Sequence, residues 1–252
     1  MQSLHPQSAW ITYWTLQHAC KVIRPGRSFL HRAISLLSIA KWPHHHIRLN
    51  HGFESDLMWW KVFSTYWNGA SLLVDPNATP QVVLTSDDSG SWGCGTWCRP
   101  RWFQLQWDNS SGLKRITEKD LFPIIIAVAI WGQSLGGHSL GVNRWFLGVI
   151  TQQLSHSHYS WEDNLMQLLR CLFFVEAHCQ FQLRVIHLPG EQNDEVDDLS
   201  CNRLFAFWKK VPGVNSTPSP ISSSLLQLLI HPHLDWRSPI WTQLFISTVQ
   251  RE

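Results

Sequence analysis

The chain has 252 residues, enough for one good-sized core or two small ones. A net charge of only +2, with 15% charged residues, excludes a protein that holds polyanions by bulk charge, so any nucleic-acid surface must be local. The 16 Trp favour large rings packed in a core over rings displayed for base stacking. The Cys at 20, 94, 98, 171, 179 and 201 form no CxxC pair, which argues against a zinc site and for free thiols in a reducing compartment. His5, Gln7, Trp10 and Thr12 interrupt any secretory-type apolar run at the start. The longest apolar run, residues 121–131, is about half the ~20 residues that cross a membrane. The expectation is an intracellular chain, cytoplasmic or nuclear, with no membrane partner.

Residues 10–23 read as a helix that Arg24-Pro25-Gly26-Arg27 stops, and Ser28 can cap a second helix to about residue 37. His44, His45 and His46 follow Pro43; three adjacent His cannot all face one metal, so they read as a loop. Phe53, Leu57, Trp60 and Trp67 recur at helical spacing until Asn68-Gly69. Residues 70–81, with Pro76 and Pro80, read as a linker.

Residues 82–97 predict a strand, a tight turn at Ser89-Gly90 and a second strand in which Gly93 and Gly95 alternate with larger residues. Asp87 ends the first strand. A carboxylate there is costly unless paired or bound to a metal, so Asp87 either caps the turn or holds a cation. Trp102-Phe103-Gln104-Leu105-Gln106-Trp107 alternates as a third strand. Arg99, Arg101, Lys114 and Arg115 flank it, placed to meet phosphates or to be solvated.

A helix is predicted from Ile116 to about residue 131, with Thr117 as N-cap, Asp120 in a capping-box-like position and Pro123 as a kink. A short strand over 138–142, a helix from 143 to about 154 and a long helix over 161–180 follow. The long helix carries a stripe of Leu165, Leu168, Leu169, Leu172, Phe173 and Val175. Residues 182–188 are the last strand, Pro189-Gly190 turns the chain, and Asn193 caps a helix containing Asp197. Val211-Pro212-Gly213 and residues 216–224 read as a linker, and 225–230 and 236–249 as short amphipathic pieces.

Several of these stretches resemble one family. Thr85-Ser86-Asp87-Asp88-Ser89-Gly90-Ser91-Trp92-Gly93-Cys94-Gly95 is similar to the opening hairpin of the ribonuclease H domain in DIRS-type retrotransposons, which pair a reverse transcriptase with a tyrosine recombinase. Leu168-Leu169-Arg170-Cys171-Leu172-Phe173-Phe174-Val175-Glu176-Ala177-His178 resembles the same elements. So does His187-Leu188-Pro189-Gly190-Glu191-Gln192-Asn193 followed by Asp197-Asp198-Leu199-Ser200. The leading Leu16-Gln17-His18-Ala19-Cys20-Lys21-Val22 and Arg24-Pro25-Gly26-Arg27-Ser28-Phe29-Leu30 look like the tail of their reverse transcriptase. Trp241-Thr242-Gln243-Leu244-Phe245-Ile246 resembles the stretch before their recombinase.

The resemblance implies an α/β fold: a ribonuclease H-like mixed five-stranded sheet with helices on both faces, preceded by a small helical segment. It divides the chain into a helical reverse-transcriptase remnant (1–80), a ribonuclease H-like domain (81–208) and a linker with short amphipathic segments (209–252). The implied activity is hydrolysis of the RNA strand of an RNA–DNA hybrid by two Mg²⁺ ions, with Mn²⁺ able to substitute. The implied metal ligands and catalytic residues are Asp87, Asp120 and Asp197, and Arg99, Arg101, Lys114 and Arg115 are the candidate nucleic-acid contacts. Two departures matter. Asp120 stands where the family has Glu, and Val142-Asn143 stands where it has Asp-Asn; Val cannot bind a metal. Asp194, Val196, Asp198 and Cys201 also depart from the closing pattern, and the acids beside Asp197 would raise its pKa by like-charge repulsion. The expectation is therefore a catalytically degenerate copy, with a non-catalytic nucleic-acid-binding module or an inert genomic remnant as the alternatives. No reverse transcriptase activity is expected: Asp87-Asp88 and Asp197-Asp198 have Thr85 and Glu195 where a polymerase motif has an aromatic residue. The upstream polymerase core and downstream recombinase are expected to lie outside this chain.

Overall fold

The computed structural model describes residues 3–4, 6–39, 46–66, 82–108, 113, 116–135, 139–143, 163–179, 181–186 and 193–230. The described residues up to 66 belong to one compact unit and those from 82 onward to another.

In the first unit a 3₁₀ turn over Arg24–Phe29 lies between α1 (Pro6–Ala19) and α2 (His31–Ile39), and α3 (His51–Tyr66) follows. Two short strands, β1 (Ser3–Leu4) and β2 (Ile47–Arg48), pair antiparallel. α1 starts at Pro6, earlier than its apolar pattern suggests, because a first-turn proline lacks only a donor that would have no helical partner there. Ser28 is buried inside the 3₁₀ turn and so does not cap α2. The tryptophans of α3 are core residues, as their spacing predicts. Trp59 is stacked between Phe29, 3.8 Å away, and Phe63, 4.9 Å away, and meets Trp60 edge-on. Each fully buried ring of this kind contributes ~1.5–3 kcal/mol. Phe53 joins a second cluster with Ala9, Ala33, Leu36, Leu37 and Ile47. Trp67, Asn68-Gly69 and the linker over 70–81 lie outside the described residues.

The second unit is an α/β structure around a mixed sheet. Its strands are β3 (Val82–Asp88), β4 (Gly93–Cys98), β5 (Arg101–Gln106), β6 (Ser139–Asn143) and β7 (Gln182–Ile186), in the order β5-β4-β3-β6-β7. β3, β4 and β5 are antiparallel neighbours, and β6 and β7 run parallel to β3. The helices are α4 (Ile116–Trp131), α5 (Asp163–Cys179), α6 (Asp194–Ser200), α7 (Leu204–Lys210) and α8 (Ser223–Ile230).

Alternation along the strands assigns the helices to faces. On β5, Trp102 clusters with Val196 and Leu199 of α6 and Phe207 of α7, while its neighbour Phe103 meets Trp131 of α4. α4 and α6–α7 therefore cover opposite faces. α4 packs against β3, β4 and α5 at once, which explains why residues 121–128 are apolar all round and all buried. Pro123 is accommodated inside the helix, and Thr117 lies within it rather than capping it, because the helix begins at Ile116.

The Pro- and Ser-rich stretch after α7 is not the free linker that its composition suggests. Asn215 N–H donates to Pro100 O (2.8 Å) and Ser219 N–H to Trp102 O (2.7 Å), laying the chain along the outer strand β5. Trp102 Nε1–H donates to Asn215 O, and Trp131 Nε1–H to Ser219 Oγ. The strap satisfies backbone groups that an edge strand would otherwise expose. The strand and helix expectations over 82–107, 116–131, 138–142, 161–180 and 182–188 are met to within a few residues at their ends. The helix expected at 143–154, the turn at 189–190 and the segment over 236–249 fall outside the described residues.

Candidate functional site

Asp87 lies one residue from the end of β3, where its register partner on β4 is Gly95. Directly opposed residues point to the same face. A Cβ at Gly95 would lie 2.3 Å from Leu199 Cβ and 3.1 Å from Ser200 N. Glycine is therefore what allows α6 to press against the sheet beside Asp87. The consequence is two hydrogen bonds across the gap: Ser200 Oγ to Asp87 Oδ2 at 3.1 Å, and Asn193 Nδ2 to Asp87 Oδ1 at 3.4 Å. Asn193 occupies the N-cap position, but its side chain makes no capping bond; it is turned toward Asp87 instead.

α6 carries four acids in seven residues, Asp194, Glu195, Asp197 and Asp198, in the first turns where the helix dipole favours them. Asp197 and Asp198 are held differently. Asp198 is only 3% exposed, and its carboxylate is clasped by two cations: Arg203 Nε at 2.7 Å on Oδ1 and Lys210 Nζ at 2.6 Å on Oδ2. Asp197 has a half-exposed side chain, with Arg203 Nη2 2.5 Å from Oδ2 and Cys201 Sγ 3.5 Å from Oδ1. One guanidinium thus spans both acids. Asn202, with φ of 59°, makes this possible: its left-handed backbone turns the chain from α6 into α7 and returns Arg203 to the acids it follows. The Arg203 N–H also closes onto Asp198 O at 2.7 Å.

These contacts decide the local electrostatics. Burial pushes the Asp198 carboxyl up, but hydrogen bonds from Lys210 and Arg203, with their charges, outweigh it and hold the group below the ordinary carboxylate range. Lys210 and Arg203 are raised in turn by their bonds to Asp198, and Arg203 also by Asp197. The like-charge crowding expected from the acids of α6 is therefore met at Asp198 by these two cations.

Of the three predicted metal ligands, Asp87 is brought against α6, the helix that carries Asp197. Asp120 lies on α4, 9% exposed, and α4 packs on the face opposite α6. Among the described residues no group of three or more His, Cys, Asp or Glu side chains is arranged to hold a metal ion. Two Mg²⁺ ions ~4 Å apart need several carboxylates whose charge is still uncompensated. Here Ser200 and Asn193 hold Asp87, and Arg203 neutralises Asp197, so the donor set as arranged does not fit two divalent ions. Val142 and Asn143 pair with Leu84 and Thr85, in the middle of β3, two or more residues before Asp87.

The candidate phosphate contacts divide as well. Arg101 is tied down by Ser134 Oγ at 2.6 Å and lies over the Trp131 ring. Arg99 is exposed and sits over the Trp97 ring, 5.7 Å from its centroid. Lys114 and Arg115 lie outside the described residues. Sequence reasoning passed over Arg203 and Lys210. The available signal was the acidic run itself, since four acids in one short helix call for cations nearby.

Cys20, Cys94, Cys98, Cys171 and Cys179 are buried thiols, and Cys201 is half-buried. Burial raises the Cys179 thiol to about 12 and the Cys20 thiol to about 11, which makes both poor nucleophiles. No helix among the described residues is long and apolar enough to cross a membrane. Comparison with protein-family models, with curated proteins and with solved structures finds no match.

Proposed function

We propose that the second unit is a ribonuclease H-like domain of DIRS-type retrotransposon descent that has lost efficient catalysis and keeps a capacity to bind nucleic acid. The observation that carries the reading is the placement of Asp87. It lies near the end of the central strand of a sheet ordered β5-β4-β3-β6-β7, against a closing helix that bears Asp197. The motif resemblance over 85–95, 168–178 and 187–200 runs through the same elements. The first unit is read as the tail of the associated reverse transcriptase. The ligand is an RNA–DNA hybrid, told from duplex DNA by its 2′-hydroxyls, with Arg99 as a phosphate contact.

The ancestral activity would need Mg²⁺ or Mn²⁺ to activate water and stabilise the leaving oxygen. Val142 at a ligand position, Asp120 in place of Glu and the compensated Asp197 all work against it. A metal supplies several kcal/mol, and each ~1.4 kcal/mol is tenfold in rate, so the expected loss is about a hundredfold or more.

The test incubates the protein with a labelled hybrid in Mg²⁺ and in Mn²⁺, beside Val142→Asp and Asp87→Asn. No cleavage by the unmodified chain is the expected outcome, and cleavage gained by Val142→Asp alone would mark a disarmed nuclease whose remaining ligands still serve. Cleavage by the unmodified chain that Asp87→Asn abolishes would overturn the degenerate reading. Absence of any salt-dependent preference for hybrid over duplex DNA would remove the binding role.

A further inference from the structure

We infer that Arg203 is the resident cation of this acidic site and sets its affinity for divalent metal. The inference rests on the reading above only for the choice of Asp197 as a metal-facing carboxylate; the contacts themselves are independent of ancestry.

Three observations carry it. First, one guanidinium reaches two acids, Nη2 to Asp197 Oδ2 and Nε to Asp198 Oδ1, so a single positive group is shared as a bound cation would share it. A planar fork with several fixed donors suits this bridging, and an ammonium does not reproduce it. Second, the two acids differ in access. Asp198 is buried and has Lys210 as a second cation, whereas the side chains of Asp197 and Arg203 are each 50% exposed. The Arg203–Asp197 contact can therefore open toward solvent while Lys210 still compensates Asp198. Third, Asn202 fixes the turn that delivers Arg203, so the cation is built into the α6–α7 junction and is not a chance surface encounter.

A divalent ion approaching Asp197 meets a carboxylate already neutralised by Arg203. It must displace the guanidinium and then sit near its positive charge. Both costs weaken metal binding, and both vanish when the charge at 203 is removed.

The experiment is calorimetric titration of the full chain with Mn²⁺, without nucleic acid, so that metal affinity is read apart from cleavage. Arg203→Gln is expected to bind Mn²⁺ about tenfold or more tightly than the unmodified chain, the scale of one removed unit charge near the site. Lys210→Gln, which removes contacts to Asp198 and to the Asp194 carbonyl but none to Asp197, is expected to change the affinity by much less than Arg203→Gln does. Adding Asp197→Asn to Arg203→Gln is expected to abolish the gain. Equal affinity of Arg203→Gln and the unmodified chain overturns the inference, and so does a gain that survives Asp197→Asn. If circular dichroism shows Arg203→Gln to be unfolded, Arg203→Lys keeps a charge for Asp198 but lacks the fork. A gain of a few fold is then expected, and no gain overturns the inference. Either result leaves the cleavage test of Val142→Asp standing on its own.

Discussion

Asp87 accepts hydrogen bonds from two neutral side chains, Ser200 and Asn193, whereas Asp198 is clasped by two cations, Arg203 and Lys210. The difference follows their burial. Asp87 is half-buried near the end of a strand, where water and hydroxyl or amide donors can share the cost of its charge. Asp198 is turned into the body of the unit beside Val196 and Leu199, where a carboxylate persists only with opposite charge against it. Asp197 stands between the two cases: half-exposed like Asp87, yet paired to a cation like Asp198. The contact between β3 and α6 thus contains both solutions, neutral donors on the strand acid and cations on the helix acids. The acid arrangement on the strand is held in place, and the charge on the helix is answered by the protein itself.

The largest expected effect comes from removing both cations of Asp198. Arg203→Gln combined with Lys210→Gln leaves a buried carboxylate without a counter-charge, and urea unfolding should show a loss of about 3 kcal/mol at neutral pH. The pH dependence sharpens this. Asp198 has a depressed pKa in the folded chain, so its contribution is fully present above the unfolded value of about 3.9 and is lost as pH falls through the folded value. The unmodified chain should lose this stabilisation only in strong acid. The double variant should lack that acid-side loss, because it has no stabilisation of this kind to lose.

A smaller effect is expected on the Asp87 side. Gly95→Ala places a Cβ against Leu199 and must push α6 off β4, separating Ser200 from Asp87. Overpacking of this kind costs about 2 kcal/mol. Unfolding measurements should find that cost. A Gly95→Ala variant as stable as the parent would mean that α6 has room to move and that the close approach is not a constraint.

How far the sequence discloses this arrangement depends on the element. The hairpin over 82–97 is legible because β-branched residues, a Ser-Gly turn and alternating glycines all indicate the same local structure. α4 and α5 are legible from long apolar patterns. The strap over 211–220 is not, because Pro and Ser have the same composition in a linker as in an edge cover. Only Trp102 and Trp131 distinguish the two, through indole donors reaching 113 and 88 residues along the chain. Asn193 is ambiguous for a related reason: an Asn before a helix reads as a cap, and only the packing of α6 on Gly95 turns its amide to Asp87. Arg203 looks like an ordinary surface cation until Asn202 bends it back onto Asp197 and Asp198.

The most direct measurement of whether protein donors, rather than a metal, satisfy Asp87, Asp197 and Asp198 is the melting temperature of the unmodified chain in EDTA and in excess Mn²⁺. A ligand that binds the folded state raises its stability by mass action. Midpoints that agree within about 1 °C are expected, because the carboxylates are already held by Ser200, Asn193, Arg203 and Lys210. A rise of several degrees in Mn²⁺ would contradict this and show that the folded acids still hold a metal.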